Sequence, residues 1–298
     1  MSPSHVMPAA PRRIVQALLA LVVALGAVAV GSGQAGAQTP DRYVALGDSF
    51  TAGPLIPDQS LNPLGCLRSD QNYPQEVQRA LTFGQFVDVS CSGATTRHMT
   101  EEHGVFPGPN PPQFDALTAD TDVVTLGIGG NDIGFAGIIE ECATLSPFGS
   151  PCRNKYVVNG VDTLAQRIQS TAPKIASTIQ GIRQRSPGAA VFVVGYPTIL
   201  PDSGYGCWPS MPIAWNDVPY LRNTHKALNA MIAQQAQANG AVYVDVYTPS
   251  IGRDACRSSS TRWVEPLIPA NAAAPVHPNA RGMDGMAGVV AAVSAAAT

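Results

Sequence analysis

Tyr43-Val44-Ala45-Leu46-Gly47-Asp48-Ser49-Phe50 begins with a run of apolar residues and ends on a small, polar turn. A strand apolar on consecutive residues suits a position buried on both faces of a parallel sheet. In such sheets the ligand crevice lies beyond the carboxyl ends of the strands, which is where Asp48 and Ser49 fall. Four further runs read the same way, at 86–90, 123–128, 190–195 and 241–246. Between them lie helical stretches at 74–81, about 162–185 and about 220–239. The second carries Leu164, Ile168, Ile175, Ile179 and Ile182 at helical spacing, and Pro173 should start, kink or divide it. Gly240 is the expected stop of the third. Strands alternating with helices predict an α/β sandwich around a parallel sheet. With no linker or internal repeat, 38–298 reads as one domain. Irregular segments at 104–113 and 201–219 follow strand ends, the second bearing Tyr205, Trp208 and Trp215.

The N-terminus has a different composition. Arg12 and Arg13 precede an apolar run over 14–30, and the small residues of 31–37 end in Ala35-Gly36-Ala37. This is the pattern of a secretory signal peptide, residues 1–37, with cleavage after Ala37. A membrane anchor would need about twenty apolar residues, so no stable anchor is expected. Six cysteines, all beyond this leader, predict three disulfides in an exported protein. Cys142 and Cys152 flank a short loop that a local bridge would close easily. The remaining pairings stay open on arithmetic alone. There is no Cys-x-x-Cys and no His pair at helical spacing, so neither a metal nor a cofactor is expected. The net charge of −3 and the lack of a basic stripe argue against a nucleic-acid partner.

Chemistry collects at the strand ends. Ser49 follows the first strand. Gly93 follows the second, in Cys91-Ser92-Gly93-Ala94, where its main-chain N–H can face a developing oxyanion. Asn131 follows the third, in Gly129-Gly130-Asn131-Asp132, with a side-chain amide able to face the same charge. Asp132 suits a structural hydrogen-bonding role better than acid catalysis. His277, in Val276-His277-Pro278-Asn279, sits in a loop before the terminal helix. His98, His103 and His225 lack a comparable setting, and His225 has polar neighbours in its helix.

Ser49, Gly93, Asn131 and His277, in that order, resemble the SGNH hydrolase superfamily, the GDSL esterases and lipases, across nearly the whole chain from Tyr43 onward. The cysteines and Pro-rich loops resemble its secreted actinobacterial branch. The resemblance implies a three-layer α/β/α fold with a five-stranded parallel sheet. It also implies bridges Cys66–Cys91, Cys142–Cys152 and Cys207–Cys256. The expected function is hydrolysis of carboxylic esters, acyl lipids or short-chain esters, by a secreted monomer. Ser49 would be the nucleophile, His277 its base, and Ser49 N–H, Gly93 N–H and the Asn131 amide the oxyanion hole. An acyltransferase or a carbohydrate acetylesterase would use the same groups. A non-catalytic lipid- or glycan-binding module would not need all four, and no Gly-x-Ser-x-Gly supports an α/β-hydrolase. One position departs from the family pattern: Ala274 stands where many members carry an Asp three residues before the His. The Ala274 carbonyl, presented by the extended backbone that Pro275 favours, is therefore expected to hold Nδ1 of His277, ahead of Glu265 or Asp284. Tyr205, Trp208 and Trp215 could line the substrate site or pack around Cys207.

Overall fold

The side chains of β1 (Arg42–Gly47) alternate between two apolar clusters, Tyr43 and Ala45 in one, Val44 and Leu46 in the other. Successive residues of a strand point to opposite faces, so both faces of the sheet are covered. The computed structural model describes residues 1, 3, 4 and 41–297, so the leader expected at 1–37 lies, apart from those three residues, outside the described residues.

The other strands are β2 (Gln85–Asp88), β3 (Val123–Gly127), β4 (Val157–Val158), β5 (Val161–Asp162), β6 (Ala190–Val194) and β7 (Val242–Val244). Five of them form one sheet in the order β2-β1-β3-β6-β7, with every neighbouring pair parallel. β4 and β5 form a separate small antiparallel ladder. The helices are α1 (Ser49–Ala52), α2 (Tyr73–Leu81), α3 (Phe135–Cys142), α4 (Pro151–Tyr156), α5 (Thr163–Arg185), α6 (Asp217–Ala238) and α7 (Ala280–Ala297). α2 and α7 bring Tyr73, Val77, Met283, Met286 and Val290 to one face of the sheet. α5 and α6 bring Leu164, Ile175, Ile179, Leu228 and Ile232 to the other. The result is the three-layer α/β/α sandwich. Truncating a fully buried residue such as Ile179 to Ala should cost about 2–5 kcal/mol, the usual price of an interior cavity.

Three local readings shift. β2 is an edge strand and only partly buried, because β1 alone flanks it. Pro173 neither starts nor divides α5, which runs on both sides of it; the apolar stripe from Leu164 to Ile182 packs along the full length. α6 begins at Asp217, so Pro219 lies inside its first turn, where a missing N–H costs no helical bond. Asp217 is drawn in because its carboxylate accepts from Cys152 N and Arg153 N, both at 2.9 Å, at the start of α4. Gly240, at φ 70°, follows the end of α6 as expected. The three sulfur pairs implied by the resemblance are bonded.

The chain leaves β1 for β2 on one side and returns to β3 on the other. The strand order therefore switches beside β1, and a crevice opens beyond the carboxyl ends of β1 and β3.

Candidate active site

The chain can turn from β1 into α1 only through Gly47. A Cβ there would meet Thr51 Oγ1 at 2.2 Å and the Gly127 carbonyl oxygen at 2.7 Å. Asp48 N then donates to Gly127 O at 2.9 Å, fastening the turn to β3. The Asp48 carboxylate caps α1 by accepting from Phe50 N at 2.9 Å. Ser49 occupies the first position of α1, where the main-chain N–H has no intrahelical partner.

A second anchor comes from Tyr196, just past β6. Its hydroxyl donates to Asp48 Oδ2 at 2.6 Å and accepts from Gly130 N at 2.8 Å. One phenol thus ties the residue before Ser49 to the residue before Asn131. Burial pushes the Asp48 carboxyl up to about 7, against the donors Tyr196 and Phe50, which favour the anion. Sequence reasoning placed Asp48 at the crevice without a role and missed Tyr196. Their signal was the one that found Ser49: a position just beyond a strand.

His277 Nε2 lies 2.8 Å from Ser49 Oγ, across 228 residues of chain. Its Nδ1 lies 2.7 Å from the carbonyl oxygen of Pro275, not of Ala274. The expected kind of acceptor is present but on the next residue. Ala274 O instead accepts the His277 main-chain N–H at 3.2 Å, closing a β-turn. Val276, at φ 60°, is the third residue of that turn, and its left-handed backbone rotates the preceding peptide so that Pro275 O meets the ring. A buried Val at positive φ is costly, and the cost falls at the residue next to the imidazole. Burial holds the imidazole below its ordinary range, while the Pro275 carbonyl works the other way. Glu265 does not touch the ring. It accepts from Asn279 Nδ2, Asn271 Nδ2 and Ala270 N at 2.6, 2.7 and 2.9 Å, and so braces the loop that carries His277.

Ser49, Gly93, Asn131 and His277 line one cleft of about 240 Å³. Gly93 adopts φ 83°, a left-handed conformation that suits glycine. Asn131 Nδ2 donates one hydrogen to Ala94 O at 2.9 Å, which orients the amide and leaves its second hydrogen free for the cleft. Asp132 is structural, accepting from Thr96 N at 3.0 Å and Thr96 Oγ1 at 2.6 Å. Trp208 donates to Thr144 O, Trp215 stacks edge-on against Phe148, and Tyr205 is exposed; none of the three lines this cleft. His225, set aside for its polar neighbours in the helix, does line it. Among the described residues no group of three His, Cys, Asp or Glu side chains is placed to hold a metal ion.

Comparison with known proteins agrees with this geometry. The profile of the GDSL-like Lipase/Acylhydrolase family matches residues 45–284. The chain is 40% identical over 287 residues to Lipase 2 of Streptomyces coelicolor, covering 93% of this chain and 95% of that protein. Among solved structures it is similar to a phospholipase A1 from Streptomyces albidoflavus NA297, with a TM-score of 0.72 and 26% identity over 85% of this chain and 99% of that one. An extracellular lipase from Streptomyces rimosus superposes with a TM-score of 0.70, again at 26% identity and with the same coverage. Strand order, cleft and relatives converge: the chain belongs to the GDSL-like lipase/acylhydrolase family and is a carboxylic-ester hydrolase.

Proposed function

We propose that the protein is an exported esterase or lipase that works through a Ser49–His277 dyad and an acyl-enzyme. The observation that carries this reading is the 2.8 Å contact between Ser49 Oγ and His277 Nε2, with Nδ1 already held by a main-chain oxygen. A carbonyl can accept but not donate, so it keeps the proton on Nδ1 and leaves Nε2 free to accept. Ser49 Oγ attacks the ester carbonyl carbon as its proton passes to Nε2. The oxyanion is met by Ser49 N–H, Gly93 N–H and the second Asn131 amide hydrogen. As the tetrahedral centre collapses, His277 returns the proton to the departing alcohol. Water, deprotonated by the same nitrogen, then releases the acid and restores Ser49. Export is supported by the leader pattern at 1–37 and by the three bridges. No helix among the described residues is long and apolar enough to cross a membrane. The substrates in this reading are short-chain and lipid acyl esters, and the protein acts as a monomer.

The test is titration with a fluorophosphonate during hydrolysis of a nitrophenyl ester. One phosphonyl group on Ser49, with activity falling in proportion, is expected. An adduct on another residue, or hydrolysis that survives full labelling of Ser49, overturns the reading.

A further inference from the structure

The cleft beside Ser49 does not end at the catalytic groups. A second, smaller cavity of about 40 Å³ shares Phe135, Ile199, His225 and Leu228 with it. These four residues are the neck between the two spaces. Beyond them the walls are mostly carbon, with Ile133, Ile138, Ile139 and Leu221. An acyl chain held on Ser49 would run through this neck, since an apolar channel removes its methylenes from water.

One group does not fit a purely apolar channel. His225 keeps some solvent exposure as a residue, but its Nε2 is buried and makes no hydrogen bond. The Tyr196 carbonyl accepts from Asn229 Nδ2 at 2.9 Å and, having a second lone pair, also lies near enough to favour the protonated ring, but it completes no hydrogen bond to Nε2. The other polar side chains around the smaller cavity are engaged within the protein. Arg222 donates to the carbonyls of Pro201 and Gly204, Thr224 Oγ1 to Tyr220 O, and the Tyr247 hydroxyl to Asp202. Ser92 Oγ also lacks a partner, but it neighbours Gly93 at the oxyanion side of the larger cleft.

We propose that this neck selects acyl chains bearing a hydroxyl, with the His225 imidazole as the group that recognises it. This deepens, and rests on, the esterase reading above. A buried polar atom without a partner is costly, and a ligand that supplies one regains that cost on binding. A plain alkyl chain in the same place leaves the atom unpaired. The ring is neutral at working pH, since burial lowers it to about 4, with Lys226 adding to the effect and the Tyr196 carbonyl opposing it. A neutral imidazole nitrogen offers a hydrogen bond rather than a charge, so the preferred chain carries a hydroxyl and not a carboxylate. A hydroxyl both donates and accepts, and so suits either tautomer.

The experiment compares nitrophenyl esters of one medium-length acyl chain, unsubstituted and with a hydroxyl walked along it, with the acetyl ester as reference. The ratio of kcat/KM, hydroxylated over plain, is taken within each enzyme form, so that general losses cancel. In the wild type one position of the hydroxyl should raise the ratio by about tenfold. In His225→Leu, and in His225→Phe as a second variant, that peak should vanish. A wild type with no favoured position overturns the proposal without recourse to any variant. A peak of equal height in a His225 variant also overturns it. If the wild type turns over the acetyl ester but shows no peak, only this inference falls. If it turns over no ester at all, the esterase reading falls and takes the inference with it.

Discussion

Asp48 and Glu265 brace the two ends of the Ser49–His277 pair, one under the nucleophile turn and the other inside the histidine loop. Both are shut away from water, at 1% and 0% exposure. Yet burial lifts Asp48 to about 7, whereas Glu265 lies below the ordinary carboxylate range. The difference is in depth and in donors: Asp48 lies deep inside the protein and Glu265 nearer its surface. Asp48 receives Phe50 N–H and the Tyr196 hydroxyl. Glu265 is also penalised by burial, but it receives the main-chain N–H groups of Ala270 and Asn271, the amides of Asn271 and Asn279, and Arg262 Nε at 3.1 Å. Together these outweigh the desolvation. A low exposure alone does not decide how a carboxylate behaves; its depth and the number of donors turned toward it decide together. The nucleophile end is thus poised to change charge near neutrality, while the histidine end keeps its charge.

The largest effect should come from Ser49→Ala, which touches neither carboxylate. Turnover should fall by about four orders of magnitude or more, with a nearly unchanged melting temperature. Activity within tenfold of wild type would remove Ser49 from the chemistry. Asn131→Ala should lower kcat by about two to three orders of magnitude with a smaller change in KM. A change in KM alone would make Asn131 a ground-state binding residue.

Glu265→Gln should separate the two ends. Arg262 loses a buried partner, which should cost about 3–5 kcal/mol of stability at neutral pH. A carboxylate with a depressed folded value stabilises above its unfolded value, and that contribution is lost as pH falls through the folded value. The gap in melting temperature between wild type and Glu265→Gln should therefore close in acid. The folded variant should keep its turnover within about tenfold, because Pro275 and not Glu265 holds Nδ1. A thousandfold loss would mean that Glu265 acts on the ring.

Tyr196→Phe should give the opposite pH behaviour. It removes one Asp48 donor and leaves Gly130 N–H without its acceptor, at a cost of about 1–3 kcal/mol. Without the phenol the Asp48 value rises above about 7. A raised folded value means stability that is full below the unfolded value and lost as pH rises through the folded one. Calorimetry should show the wild-type-to-variant gap widening above pH 7, with kcat reduced more than KM. A gap that is flat with pH would show that Asp48 does not titrate there. The smallest expected effect is in the wild type itself. The acid limb of kcat/KM should have its midpoint below the ordinary imidazole value of about 6.5, because burial favours the neutral base. A midpoint above that value would show His277 stabilised as the cation.

The apolar runs, the helical spacing of Leu164 to Ile182 and the small residues around Ser49 were legible because they are local. A strand buried on both faces must be apolar on consecutive residues, and a chain that turns at a sheet end needs glycine. That Ser49, Gly93 and Asn131 gather at one crevice also followed from strand ends, once an α/β sheet was assumed; His277, in a loop before α7, was joined to them by the resemblance to the SGNH family. What remained hidden depended on distance in the chain or on the direction of a single peptide. Tyr196 reaches Asp48 across 148 residues. Pro275 rather than Ala274 faces His277 because Val276 takes a left-handed backbone that its sequence disfavours. His225 has polar neighbours along its helix, yet its Nε2 is buried beside the cleft, with the Tyr247 ring edge-on to the imidazole. The sequence by itself determined which side chains could do chemistry and which elements would carry them. Only the tertiary structure decided which hydrogen bonds those side chains make, because local propensity acts over a few residues and a hydrogen bond needs its partner within about 3 Å.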